Sequence, residues 1–237
     1  MRPVSHAAVG MCLIASLVSG CTAASSGNQP DATEQLLPIL SRDLQIDYEP
    51  LGEPGTVVER GLADEVIRGT LVRVGPGIEV LRDNPTSPGD DTRGVGDPDN
   101  DDQRKPRAEQ SLWMRFTTLH VTVEQATDDA LVGTTLPVQM LTGTLVTNEE
   151  IASSFAPTDV VFALAKLPRW DQDEWLTVEV PNGAAPLAES MTPLTGGDWF
   201  RGADDEAISP WADEGDGPSE WRQPGGFDQA ARAFGVG

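Results

Sequence analysis

Few side chains in this sequence are equipped for chemistry, and they stand far apart. The 237 residues include two histidines, His6 and His120, and two cysteines, Cys12 and Cys21. A hydrolytic triad needs a base, a nucleophile and an acid that orients the base. His120 is the one histidine in a strand-like stretch. Thr118 and Thr122 share its face, Ser111 lies on the same strand, and no G-x-S-x-G elbow occurs. That pattern fits a packed or surface histidine better than a general base. Carboxylates are abundant, 38 against 16 Lys and Arg. Pairs such as Asp171/Asp173 and Asp204/Asp205 fall in segments that read as exposed, where nothing would drive their pKa values apart as acid–base catalysis requires. Asp97, Asp99 and Asp101 alternate as ligands do in the first half of an EF-hand loop, and hard oxygen donors suit Ca²⁺ or Mg²⁺. The sixth position is Asp102 where that loop needs glycine, and Glu109 falls one place late, so the match supports a weak cation site at most. Aromatic residues supply the remaining candidates. Trp113 and Phe116 flank Arg115 on one strand, and Trp211 and Trp221 sit among acids near the C-terminus. All four are candidate ligand or partner contacts, with core or rim packing as their alternative role.

The elements that would position these residues are mostly strands. Glu65–Val74, Leu112–Gln125, Thr135–Val146, Asp159–Leu167 and Glu174–Val180 read as five strands. In the second, Trp113, Leu119, Val121 and Val123 take one face, and Met114, Phe116, Thr118, His120 and Thr122 the other. The fourth is a near-continuous apolar run, as in a strand buried on both sides. Between the third and fourth, Asn148 with Glu149 and Glu150 predicts a capped short helix ending near Phe155, before Pro157. Leu36, Leu37, Ile39 and Leu40 predict one or two helical turns, with Pro38 preventing more. Residues 83–110 form an acidic insertion with almost no apolar side chains, expected to be disordered. From 183 to 237 the chain reads as an acidic, loop-rich tail. Within it, Gly196-Gly197-Asp198-Trp199-Phe200 could dock an aromatic pair, and Phe227, Ala230, Ala231 and Phe234 line one face of a short helix.

The first residues carry an address. Arg2 precedes an apolar run, Ala7 to Val18, too short to span a bilayer and of signal-peptide length. It ends in Val18-Ser19-Gly20-Cys21, which resembles the lipobox of prokaryotic lipoproteins. The resemblance implies removal of residues 1–20 and a diacylglyceryl thioether on Cys21, often with N-acylation. It implies a protein anchored at the extracytoplasmic face of the cell membrane, firmly if two or more chains are attached. Cys12 and His6 would leave with the leader, and Cys21 would be consumed by lipid. No disulfide, thiol nucleophile or His/Cys metal site would then remain, and no cofactor is expected. Residues 21–33, small and polar, read as a disordered tether.

A net charge of −22 repels phosphate backbones and anionic headgroups, and argues against nucleic acid as a partner. The only lysines are Lys105 and Lys166, which together with the Ala, Gly, Pro and Asp content fits a GC-rich genome, with a salt-adapted surface as the rival reading. The order of three strands, a short helix and two strands is that of the five-stranded OB barrel, with a β-sandwich of other topology as the alternative. Val66-Ile67-Arg68-Gly69-Thr70-Leu71-Val72-Arg73-Val74 and Val160-Val161-Phe162-Ala163-Leu164 also resemble core strands of OB-like β domains in actinobacterial secreted proteins. The expectation is an all-β, OB-like domain at 34–182, acting as a non-catalytic binding module for an envelope protein, peptide or glycan. The alternatives are an envelope enzyme or enzyme subunit with an unrecognised carboxylate site, and a weak divalent-cation-binding surface protein.

Overall fold

The computed structural model describes residues 32–42, 57, 60–83, 110–182, 184–210 and 219–237. Among them the strands are β1 (Glu65–Asp83), β2 (Gln110–Ala126), β3 (Thr135–Thr142), β4 (Thr158–Lys166), β5 (Leu176–Glu179), β6 (Met191–Arg201) and β7 (Ala207–Ile208). The helices are α1 (Ala32–Leu40), α2 (Asn148–Ser154) and α3 (Gly226–Ala233). The leader, Cys21 and most of the tether lie outside the described residues, as do nearly all of the acidic insertion, with Asp97, Asp99 and Asp101, and Trp211.

Strands β1, β2, β3, β6 and β4 close into a five-stranded barrel, since β2-β3-β6-β4-β1 are neighbours in that order and β1 pairs again with β2. The joint between β3 and β6 is parallel and rests on Val138 and Met191 alone. All other pairings are antiparallel. A partly open five-stranded barrel with a helix between its third and fourth strands is OB-like.

The strand that closes the barrel is not the one expected. Residues 176–179 form β5, which adds four residues to the far end of β1 and lies off the barrel. Closure comes from β6, inside the stretch that reads as a loop-rich tail. Pro193, Gly196, Gly197 and Asp198 break the alternation that marks a strand, and the structure uses those residues. Gly196 takes φ +80°, and a register shift falls between Phe162 and Leu164 on the partner strand. A Cβ on Gly197 would come 2.8 Å from that of Ala163. Glycine at a bulge and at a close backbone approach is what such a bent strand needs. β1 also runs beyond Val74 to Asp83, through register shifts that let Gly75-Pro76-Gly77 bend it around the barrel.

The barrel interior holds Ile67, Leu71, Leu119, Val121, Val138, Met140, Val160, Phe162 and Phe200, covered by Leu36, Leu37 and Leu40 of α1 and Ile151 of α2. Helix α1 begins inside the expected tether, and its buried Thr33 hydroxyl reaches the Thr158 hydroxyl and the Arg201 carbonyl, both at 3.0 Å. α2 is capped by Thr147 rather than Asn148. Its hydroxyl accepts from the Glu150 amide while Glu150 accepts from the Thr147 amide, the reciprocal capping box that Thr-x-x-Glu spacing allows.

Both outer faces of the barrel carry further apolar layers. β4 is buried on both sides, as its continuous run predicts: Val160, Phe162 and Leu164 point inward, and Val161 and Ala163 outward. That outer face lies under α3, where Phe227, Ala230, Ala231 and Phe234 are fully buried. Trp221 stacks edge-on against Trp199, with centroids 4.9 Å apart. The guanidinium groups of Arg68 and Arg201 lie over the Phe227 ring, at 5.6 and 4.8 Å. Asp228 joins the same two arginines at 2.8 and 3.5 Å. On the other side, Ile78, Val80 and Phe116 pack against Leu167, Leu176 and Leu187 of the β4–β6 connection. The expected tail is therefore part of the folded unit.

Candidate functional site

The far end of the β1–β2 hairpin projects past the barrel. β3 begins to pair with β2 at Arg115, so Gln110 to Met114 have β1 on one side and no described strand on the other. Leu112 pairs with Leu81 and Met114 with Val80, which leaves Trp113 as the extra residue of a bulge. Trp113 is 44% exposed. On the opposite side of β1, Arg82 pairs with Leu176 of β5, and the preceding Trp175 is 47% exposed. The β2 and β5 backbones flank one strand and are therefore about 10 Å apart. The Gln110 amide spans them, donating to the Thr177 hydroxyl at 2.9 Å. Two large aromatics thus border the hairpin end, one where β2 leaves the acidic insertion and one in the β4–β6 connection. In OB barrels the corresponding loops frame the ligand face.

The other aromatic candidates stand elsewhere. Phe116 is 3% exposed, its ring 5.7 Å from that of Trp170, so it is core. Trp221 is 4% exposed, wedged between Trp199 and Phe234. Neither can meet a ligand while the fold is intact. Trp175 is absent from the sequence-derived candidates, although a signal was present: it occupies the polar phase of an alternating segment, with Thr177 and Glu179, where a tryptophan has no core to enter.

His120 lies on the outer face of β2 with its Nδ1 3.2 Å from Arg73. Burial, reinforced by the Arg73 charge, lowers its pKa from the ordinary histidine value. Ser111 lies nine residues away, about 30 Å along an extended strand, and its hydroxyl reaches the Arg82 carbonyl at 3.5 Å. The two are not brought together. Thr118, on the same face, donates to the Pro76 carbonyl at 2.8 Å and shares a buried cluster with Gln139. Asp171 is held by Arg169 through two hydrogen bonds, at 2.9 and 2.8 Å, which lower its pKa. Asp173 accepts from the Trp175 amide at 2.9 Å. Asp205 lies 3.6 Å from Arg201. These carboxylates hold turns and arginines in place. Among the described residues no group of three or more His, Cys, Asp or Glu could hold a metal ion, and no helix is long and apolar enough to cross a membrane.

Compared with known proteins, the chain matches no family model, no curated protein and no solved structure.

Proposed function

We propose that this chain is a lipid-anchored protein of the cell envelope whose barrel is a non-catalytic binding module. Cys21 would hold it at the extracytoplasmic face of the membrane, and the end of the β1–β2 hairpin would present Trp113 to an envelope protein, peptide or glycan. The observation that carries the binding reading is the exposed Trp113 at a bulge beyond the barrel, with Trp175 exposed across β1 from it, while Phe116 and Trp221 are buried. A tryptophan left in water offers a flat apolar surface and an N–H donor, the combination that peptides and sugars use. A net charge of −22 favours neutral or basic partners over phosphate-bearing ones. The anchor reading rests on the lipobox resemblance at Val18-Ser19-Gly20-Cys21.

The anchor is tested by Cys21→Ser with metabolic labelling by a fatty-acid analogue, followed by membrane fractionation. The expected result is loss of label and release from the membrane fraction. Unchanged membrane retention without label would overturn it.

A further inference from the structure

We propose that Leu145, together with Trp113, seats in an apolar pocket of a protein carried by the same membrane. The inference rests on the reading of this chain as a lipid-anchored binding module and names the class of partner. β3 leaves its ladder with β2 at Thr142, opposite Arg115, so the turn that follows begins beside the stretch of β2 that carries Trp113. The Val146 amide donates to the Gly143 carbonyl at 3.1 Å and closes that turn. Arg115 fixes it from the β2 side: its guanidinium donates to the Thr144 and Val146 carbonyls at 3.1 and 2.9 Å and meets Glu79 at 3.0 Å. From the other side the Arg42 carbonyl packs so closely that a Cβ on Gly143 would come 2.0 Å from its oxygen. Val146 is fully buried, yet Leu145, between the two clamped carbonyls, is 74% exposed. An apolar side chain on a backbone already pinned at both flanks loses little freedom when a partner covers it.

Shape and reach select the partner. A leucine at the tip of a turn needs a concave receiver. Folded proteins offer preformed apolar pockets, whereas an extended peptide or a sugar chain has none. A bilayer fits less well, because a net charge of −22 repels anionic headgroups and the Arg115–Glu79 pair beside the turn would lose its water. Reach follows from the chain. α1 covers the barrel at this mouth, and Arg42, just past its end, lies against Gly143. Cys21 and Ala32 are eleven residues apart, a stretch that spans at most about 36–40 Å. The length of α1 adds about 14 Å. A chain anchored at Cys21 therefore keeps Leu145 within roughly 55 Å of the lipid, where the proteins it meets are those seated in or on the same membrane.

The test uses the full chain in intact cells, with the photoreactive residue benzoylphenylalanine placed at 145, 113, 62 or 132, one position at a time. Leu62, just before β1, and Val132, between β2 and β3, are exposed apolar controls at the other barrel mouth. Irradiation should join 145 and 113 to the same protein, identified by mass spectrometry as an integral or lipid-anchored one, and 62 and 132 to none. In the chain labelled at 113, Leu145→Ser should lower that adduct at least about tenfold, the worth of burying one leucine, while Leu145→Met should keep it. Both substitutions fall on a largely exposed side chain, so the fold stays intact. Adducts of 145 to phospholipid, to a second copy of this chain or to a secreted protein would each overturn the proposal, as would equal labelling at 62 and 132. An adduct at 113 that ignores Leu145→Ser would overturn it and leave the broader binding reading standing. No adduct at either 113 or 145 would remove both.

Discussion

Replacing Phe227 by alanine tests whether the C-terminal helix belongs to the folded core. The ring is fully buried between α3 and the outer face of β4, with Val161, Ala163 and Trp199 in the same layer. Truncating a buried phenylalanine costs about 3–5 kcal/mol, covering lost transfer free energy and the cavity left behind. Two guanidinium groups also lose their aromatic partner, adding roughly 0.5–1 kcal/mol each at partly exposed sites. The sum, about 4–7 kcal/mol, is comparable with the whole stability of many domains. For a folded unit of this size it corresponds to a fall of roughly 8–28 °C in Tm. Urea unfolding followed by circular dichroism and Trp fluorescence would measure it. Phe227→Leu keeps most of the volume and should cost under about 1.5 kcal/mol plus the cation contacts. A loss below about 1 kcal/mol for Phe227→Ala would refute the reasoning, because α3 would then not be covering β4.

The two aromatics of β2 should behave in opposite ways. Phe116→Ala should lose about 3–5 kcal/mol of stability, whereas Trp113→Ala should change it by less than about 1 kcal/mol; equal losses in denaturant titration would contradict the assignment of one to core and one to surface. Gly77→Ala would drive a Cβ against the Phe116 carbonyl and to 2.8 Å from the Gln139 side-chain oxygen, and should destabilise by about 1–3 kcal/mol as an overpacking change; an unchanged unfolding midpoint would disprove the close approach. His120 titrates below its ordinary value of 6.5 in the folded chain, so the unfolded chain takes up the proton first as the pH falls. The stabilisation is therefore complete above that ordinary value and is lost as the pH drops from it towards the folded pKa. His120→Gln should remove that part of the pH dependence of Tm, and Arg73→Ala should move the ring's NMR titration upward; no movement would deny the role of Arg73.

Much of the barrel was legible because local pattern and tertiary environment agree. The unbroken apolar run at 160–164 marks a strand covered on both faces, and the spacing of Phe227, Ala230, Ala231 and Phe234 marks a helix with one buried stripe. β6 was illegible for the opposite reason. Its Pro, Gly and Asp residues suit a bulged closing strand, and its parallel joint to β3 links segments about fifty residues apart, which no local window records. Strict alternation does not by itself place the two aromatics of β2. That rule groups Trp113 with Leu119 and Val121, inside the barrel, but β2 outruns β3 and its inward face has no interior left at Trp113. Phe116 falls in the outward phase, yet the β4–β6 connection folds over that face and buries it. The same departure bears on where function can be sought by truncation: deleting 183–237 would remove β6 and α3, and so the barrel with them.

The binding claim is met most directly by capture from detergent-solubilised envelope with the full chain and its Trp113→Ala variant, both verified as folded. Partners recovered with the parent chain and lost with the variant are the predicted outcome. Recovery of the same partners by both, or of none by either, would contradict the account.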